Sequence, residues 1–269
     1  MTFTSYSQNF EDVMLHRALK DIVTGTYVDV GAQDPTTHSV TRLFYDLGWS
    51  GVNLEPNLQF YKLLEEERPR DQNLQLGAGS SQETHTLYEF KNTGLSTLQK
   101  DIAERHVIDK NLNYTSSVIE VQTLNQILNP LNLGEIHFLK IDVEGFEKEV
   151  LLGLDLSKIR PWIIVIEATQ PSTTIINSHE WQDLVTAAKY QEVYFDGLNK
   201  FFVADEHSSI SEAFLIPPNC FDGFETHHQV SLKKQVHWLE QQLEQGNSQT
   251  EAARIVEEKL KVHLQELEL

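Results

Sequence analysis

The residues best placed to do chemistry in this chain lie where extended, apolar runs stop. Tyr27-Val28-Asp29-Val30 is a short β-prone run that stops at Gly31-Ala32-Gln33, and Gly51-Val52-Asn53-Leu54 is another that stops at Glu55, 24 positions after Gly31. Strand, glycine turn, helix, strand, acidic residue is the order in which an α/β sheet holds a nucleoside. The glycine lets the backbone approach the ligand, and the carboxylate accepts hydrogen bonds from ribose hydroxyls. A third run, residues 136–141, ends in Asp142-Val143-Glu144-Gly145, and a fourth, residues 162–166, ends at Glu167. Asp142 is the first candidate for a catalytic centre, as general base or as metal ligand, with Glu144 beside it. Lys140, two residues earlier, shares its strand face and can pair with a carboxylate and lower that group's pKa, or form a purely structural ion pair. Asp142 with Glu167 can hold Mg²⁺ through oxygen ligands, although carboxylates on neighbouring strand ends are also common without metal. His38, just past the glycine turn, is a candidate base or hydroxyl-binding group, or a plain polar residue at a helix start.

The turn holds one glycine where a pyrophosphate cradle needs three: Gly31-Ala32-Gln33-Asp34-Pro35-Thr36 does not fit Gly-x-Gly-x-x-Gly. A nucleoside without phosphates is the better match, and S-adenosylmethionine is the common one. The elements that position these residues follow from pattern. A helix is expected over about residues 5–20 with Val13, Leu15, Leu19 and Ile22 as apolar contacts, then strands over 26–31, 51–55 and 73–77. Helices are expected over 39–47 and 58–67, the second stopped by Pro69. Residues 84–90 read as an extra β element, 91–117 as a long polar loop of the lid or substrate-binding kind containing Ser96 and Thr97, and 118–122 as a short strand before a helix through Leu128. The run at 136–141 is nearly continuous in its apolar character, as a strand buried on both faces requires. A helix near 178–189 precedes residues 192–196 and 200–204, which are joined by Gly197-Leu198-Asn199 and so form an antiparallel hairpin. A parallel sheet closed by such a hairpin marks the methyltransferase variant of the Rossmann fold rather than the dinucleotide-binding one.

The tail differs in kind. From Val230 onward there is no proline, and Val236, Leu243 and Leu264 fall at heptad position a with Leu239, Ala253, Leu260 and Leu267 at d, interrupted by Gly246, Thr250 and Glu257. The readings are a coiled coil with a weak middle, two helices hinged at Gly246, or one helix folded back on the domain; the oligomeric coil is preferred because the flanking positions are mostly Glu, Gln and Lys. The 269 residues are enough for one α/β domain, taken as 1–225, plus this helical segment, 229–269. The formal net charge of −19 opposes nonspecific binding to nucleic acid or to an anionic membrane and suits a neutral acceptor or a cationic cofactor. A single cysteine, Cys220, excludes an intrachain disulfide and a cysteine-rich zinc site. With no apolar run of about 18 residues and no basic-then-apolar leader, the expected location is the cytoplasm.

These residues carry a resemblance. Ser7-Gln8-Asn9-Phe10-Glu11-Asp12, Tyr27-Val28-Asp29-Val30-Gly31-Ala32, Gly51-Val52-Asn53-Leu54-Glu55-Pro56 and Leu139-Lys140-Ile141-Asp142-Val143-Glu144-Gly145 occur in the order found in the FkbM-type S-adenosylmethionine-dependent methyltransferases, over residues 5–205. The chain departs from the family at Leu76-Gly77-Ala78-Gly79, where an Ala-Val-Ser-type stretch is more usual. The resemblance implies a Rossmann-like class I methyltransferase fold, a mostly parallel seven-stranded sheet with an antiparallel terminal hairpin, and O-methylation of a sugar, glycan or related metabolite. The candidate cofactor contacts are then Gln8, Asp12, Asp29, Gly31, Ala32 and Gln33 from the first motifs, Glu55, Pro56 and Asn57 from the second strand end, and Ala78 and Asp142. The catalytic candidates are Asp142, Lys140, Glu144 and His38. The expected partners are a sugar or glycan hydroxyl acceptor, a second copy of the chain through the coil, and glycan-assembly enzymes. Two other functions stay open: a noncatalytic scaffold built around the coil, and a Rossmann oxidoreductase, which the missing glycines disfavour.

Overall fold

In the computed structural model, which describes residues 2–91, 93–245 and 258–262, the apolar runs become strands of one seven-stranded sheet. In chain order the elements are β1 (Phe3–Ser5), α1 (Glu11–Ala18), β2 (Thr26–Val30), α2 (Arg42–Asp46), β3 (Ser50–Leu54), α3 (Leu58–Glu67), β4 (Gln72–Leu74), β5 (Gly77–Ala78) and β6 (Glu83–Phe90). Then follow α4 (Lys100–Lys110), β7 (Tyr114–Gln122), α5 (Leu124–Leu128), β8 (Phe138–Ile141), α6 (Glu147–Leu152), β9 (Ile163–Glu167), α7 (Gln182–Ala187), β10 (Tyr190–Phe195), β11 (Asn199–Ala204), β12 (Phe224–Thr226) and α8 (His227–Gln245). The chain forms two compact units: Ser7–Pro218, and Met1–Tyr6 with Asn219–Leu269.

The large unit holds the sheet, in the order β10-β11-β9-β8-β2-β3-β4. β11 runs antiparallel to both its neighbours, and the remaining pairs are parallel. Side-chain alternation divides the core between the two faces. Val28, Val30, Leu139, Ile141, Ile164, Ile166, Phe202 and Ala204 pack on one side with residues of α5, α6 and α7. Tyr27, Phe138, Ile163, Val165, Phe201 and Val203 pack on the other with residues of α1 and α2. Both faces are covered, which is why these strands read as continuous apolar runs. The reversal of strand order falls between β2 and β8, so the crevice at their carboxyl ends is where a ligand is expected.

The first helix, expected over 5–20, is shortened to Glu11–Ala18 because Phe3–Ser5 are a strand, and three further elements differ from the sequence reading. The expected strand over 73–77 is split: β4 ends at Leu74, and β5 leaves the main sheet to join β7 and β6 in a second, three-stranded sheet. The polar 91–117 segment is not one loop, because Ile102, Ala103 and His106 are buried along α4 and β7 begins at Tyr114. α2 is shorter than its pattern because residues 35–41 are held as a loop. Arg68, fully buried, donates to the carbonyl of Pro35 at 2.6 and 3.2 Å and to Ser39 Oγ at 2.9 Å, and lies 3.6 Å from Asp71.

In the small unit β1 pairs in parallel with β12, and α8 follows directly. A 3₁₀ turn at Cys220–Asp222 precedes β12, whereas the 3₁₀ turns over Asp205–Phe214 belong to the large unit. Val236 and Leu239, the first a and d positions of the tail, are already buried within the single chain. Gly246, Thr250, Ala253, Glu257, Leu264 and Leu267 lie outside the described residues, and a coiled coil is not shown. Among the described residues no helix is long and apolar enough to cross a membrane.

Candidate functional site

A cavity of about 620 Å³ opens at the carboxyl ends of β2, β3, β8 and β9. That size is in the range of small-molecule sites. On its β2–β3 side Glu55 already has hydrogen-bond partners. Glu55 is buried, and its carboxylate accepts from the backbone N–H of Gln33 and of Asn57, each at 2.8 Å. Burial pushes its pKa up to about 7 against the opposing pull of those two amides and Lys140. Asn57 in turn caps α3, accepting from the N–H of Gln59 and Phe60, and its Nδ2 donates to Glu89. Gly31, at φ 79°, is required by a close approach: a Cβ there would overlap the carbonyl oxygen of Asp142. The neighbour that forces glycine is therefore protein backbone, with the ligand cavity beside it.

The β2–β8 register places Asp29 opposite Lys140. Lys140 Nζ donates to the Gly31 carbonyl at 2.7 Å and lies 3.3 Å from Asp29 Oδ1 and 3.5 Å from Asp142 Oδ2. Burial works to lower its pKa, but the two carboxylates outweigh this and raise it, so Lys140 is a fixed cation. Asp29 is buried and also accepts from Thr41 Oγ1 at 3.0 Å. Asp142 is the open member of this group, its side chain 39% exposed.

The β8–β9 side is different. Glu144, at φ 53°, and Glu167 each present a buried Oε2 with no hydrogen-bond partner. Burial, then the charges of Asp142 and Glu147, pushes the Glu144 pKa well up; burial, then Asp142, Glu144 and Glu147, does the same to Glu167. Glu147 is also buried and pushed up to about 7, chiefly by burial, while accepting from the N–H of Val143 and Gly145. The turn that carries Glu144 is tied down from α4's approach, where Thr97 Oγ1 donates to the Glu144 carbonyl at 2.9 Å and Gln99 Nε2 donates to that of Gly145.

The cavity brings together Gln8, Asp29, Gly31, Ala32, Gln33, His38, Glu55, Pro56, Ala78, Lys140, Asp142, Glu144 and Glu167 from the sequence expectations. Asp12 and Asn57 fall outside its lining. Asp12 receives the Ser7 hydroxyl at 2.7 Å and shapes the loop before α1, while Asn57 acts on Glu55 and α3. His38 is exposed at the rim in a left-handed conformation, φ 59°, rather than at a helix start. Among the described residues no group of three or more His, Cys, Asp or Glu side chains could hold a metal ion, so Asp142 and Glu167 lack a third protein ligand there. Glu147, Lys110, Asn199 and residues 172–174 were not singled out from sequence. Only 172–174 carried a usable signal, a polar run just past the end of a central strand.

A sequence profile described as the methyltransferase FkbM domain matches residues 29–201. No curated protein matches the chain. A solved structure described as a protein in the NADB-Rossmann superfamily from Streptococcus agalactiae is 11% identical and covers 94% of this chain and 96% of its own, with a TM-score of 0.35, too low to carry an argument. The family match spans well over half of the chain, runs from the end of β2 into β11, and includes the Gly31, Glu55, Asp142 and Glu167 positions; the chain belongs to the FkbM methyltransferase domain family.

Proposed function

We propose that the protein is an S-adenosylmethionine-dependent O-methyltransferase acting on a hydroxyl of a sugar, glycan or related metabolite. The observation that carries this reading is Glu55, held by the Gln33 and Asn57 amides in the wall of the cavity beside the Gly31 turn. Each carboxylate oxygen has accepted one bond and has a second lone pair for one hydroxyl of a ribose diol. Leu76, Ala78 and Leu87 give the adjoining wall the apolar character a purine needs. Gln8 and the Gly31–Gln33 turn would hold the methionine part. Asp29 acts through Lys140, paired with it at 3.3 Å, and Thr41, which donates to its Oδ2.

The cofactor would supply an electrophilic methyl group, whose transfer depends mostly on alignment. This chain's residues orient the two reactants and keep water out. Asp142 is the group assigned to accept the acceptor's proton, because it is the exposed carboxylate at the strand end and Lys140 steadies it from 3.5 Å.

The test is calorimetric titration of the purified protein with S-adenosylhomocysteine and, separately, NAD. Micromolar binding of the first alone supports the reading. Binding of NAD alone moves the protein to the oxidoreductases, and binding of neither turns attention to a scaffold built on this fold.

A further inference from the structure

The cavity lining holds six carboxylates, Glu11, Asp29, Glu55, Asp142, Glu144 and Glu167, against two lysines. Most of the six have donors. Glu11 receives Asn199 Nδ2 and the Asn9 N–H, each at 2.8 Å, and Glu55 receives two amides. Asp29 and Asp142 share the Lys140 cation at 3.3 and 3.5 Å, and Asp29, although its Oδ1 makes no hydrogen bond, accepts from Thr41 through Oδ2. The second lysine, Lys110, is exposed and donates to Ser172 Oγ at 2.7 Å. That leaves Glu167, only 6% exposed with Oε2 unpartnered, and Glu144, whose Oε2 is buried and unpartnered as well. They follow neighbouring parallel strands, β9 and β8, line the same cavity, and the charge of Glu144 acts on Glu167.

Buried oxygens without donors are costly, and a pair of them lining one cavity calls for an explanation, which the donors of a bound ligand would supply. The single positive charge of a sulfonium does not balance this set. We propose that the acceptor is an amine-bearing polyol whose ammonium group is bound by Glu144 and Glu167, a reading that rests on the methyltransferase assignment and names its substrate class. An ammonium offers three donors and needs only acceptors around it. Among the described residues no group of three or more His, Cys, Asp or Glu could hold a metal ion, and Mg²⁺ competes with the ammonium as a separate arm of the test. The hydroxyls of Ser172, Thr173 and Thr174 line the same cavity and suit the polyol's remaining groups.

The experiment uses protein saturated with S-adenosylhomocysteine, titrated with glucosamine, glucose and glucuronate, and with Mg²⁺ alone. Glucosamine should bind at least about tenfold tighter than glucose, a difference of about 1.4 kcal/mol, and glucuronate should not bind. Glu167→Gln should erase the preference while S-adenosylhomocysteine still binds, and Glu144→Gln gives a second reading if the first variant folds poorly. Equal binding of glucose and glucosamine, a preference for glucuronate, absence of glucosamine binding, or Mg²⁺ binding that needs Glu167 without an amine preference would each overturn the proposal. Failure of S-adenosylhomocysteine to bind overturns the cofactor reading instead, and the same sugar series without it still reads the amine preference.

Discussion

The two ends of the cavity handle buried charge in opposite ways. At the β2–β3 end, Glu55 sits between two backbone amides before any ligand arrives, and the loop that supplies one of them is held by buried Arg68. At the β8–β9 end, Glu144 and Glu167 keep buried oxygens without donors. The first arrangement is preorganised: its groups already point where a ligand needs them, so little ordering entropy is lost on binding. The second carries the cost of buried oxygens without donors, and a cost of this kind is tolerated where the surrounding fold over-determines the geometry. Here the Thr97 and Gln99 bonds to the 144–145 turn do the holding.

The contrast can be broken most severely at Arg68. Arg68→Ala removes one member of a fully buried pair and the donors to Pro35 and Ser39, and should destabilise the protein by about 3–5 kcal/mol in urea unfolding, with loss of S-adenosylhomocysteine binding. A smaller effect is expected from Glu55→Gln. Its NH₂ group must face one of the two backbone N–H donors, so S-adenosylhomocysteine affinity should fall by about 10- to 100-fold by calorimetry.

Both ends bury carboxyl groups, and pH sharpens the difference between them. Glu11, Glu55 and Glu147 rise from 4.5 to about 7 on folding, and Glu167 is raised further. Between those limits the folded protein binds more protons than the unfolded chain, so stability falls as pH rises through that window. Thermal unfolding should give a lower Tm at pH 8 than at pH 5. Glu167→Gln should raise the Tm at pH 8 and flatten the slope above pH 7, because it removes a carboxyl group that resists ionisation. An unchanged slope would show that Glu167 ionises in the folded state as freely as in the unfolded chain. The smallest effect belongs to Asn57→Ala, which should cost about 1 kcal/mol through the α3 cap and only slightly weaken S-adenosylhomocysteine binding, since the amide that holds Glu55 is backbone.

Much of the frame was legible because it is local. The apolar runs at 26–30, 138–141 and 163–167 announce strands buried on both faces, and Gly197 between two such runs announces the hairpin. α4 was missed because only Ile102, Ala103 and His106 are buried in an otherwise polar segment, too few to stand out as a periodic face. The break between β4 and β5 was missed because pairing with β7, more than forty residues later, draws β5 out of the main sheet.

The sequence by itself determined where the strands end and that Gly31, Glu55, Lys140, Asp142 and Glu167 stand at those ends, because side-chain periodicity and turn chemistry act over a few residues. Only the tertiary structure decided which of these carboxylates are answered. Register set Asp29 against Lys140, a loop and a helix start gave Glu55 its two amides, and packing of α4's approach against the 144–145 turn left Glu144 and Glu167 buried without donors. Burial and hydrogen bonding depend on what the rest of the chain brings alongside, and a residue's own neighbours in sequence do not contain that information.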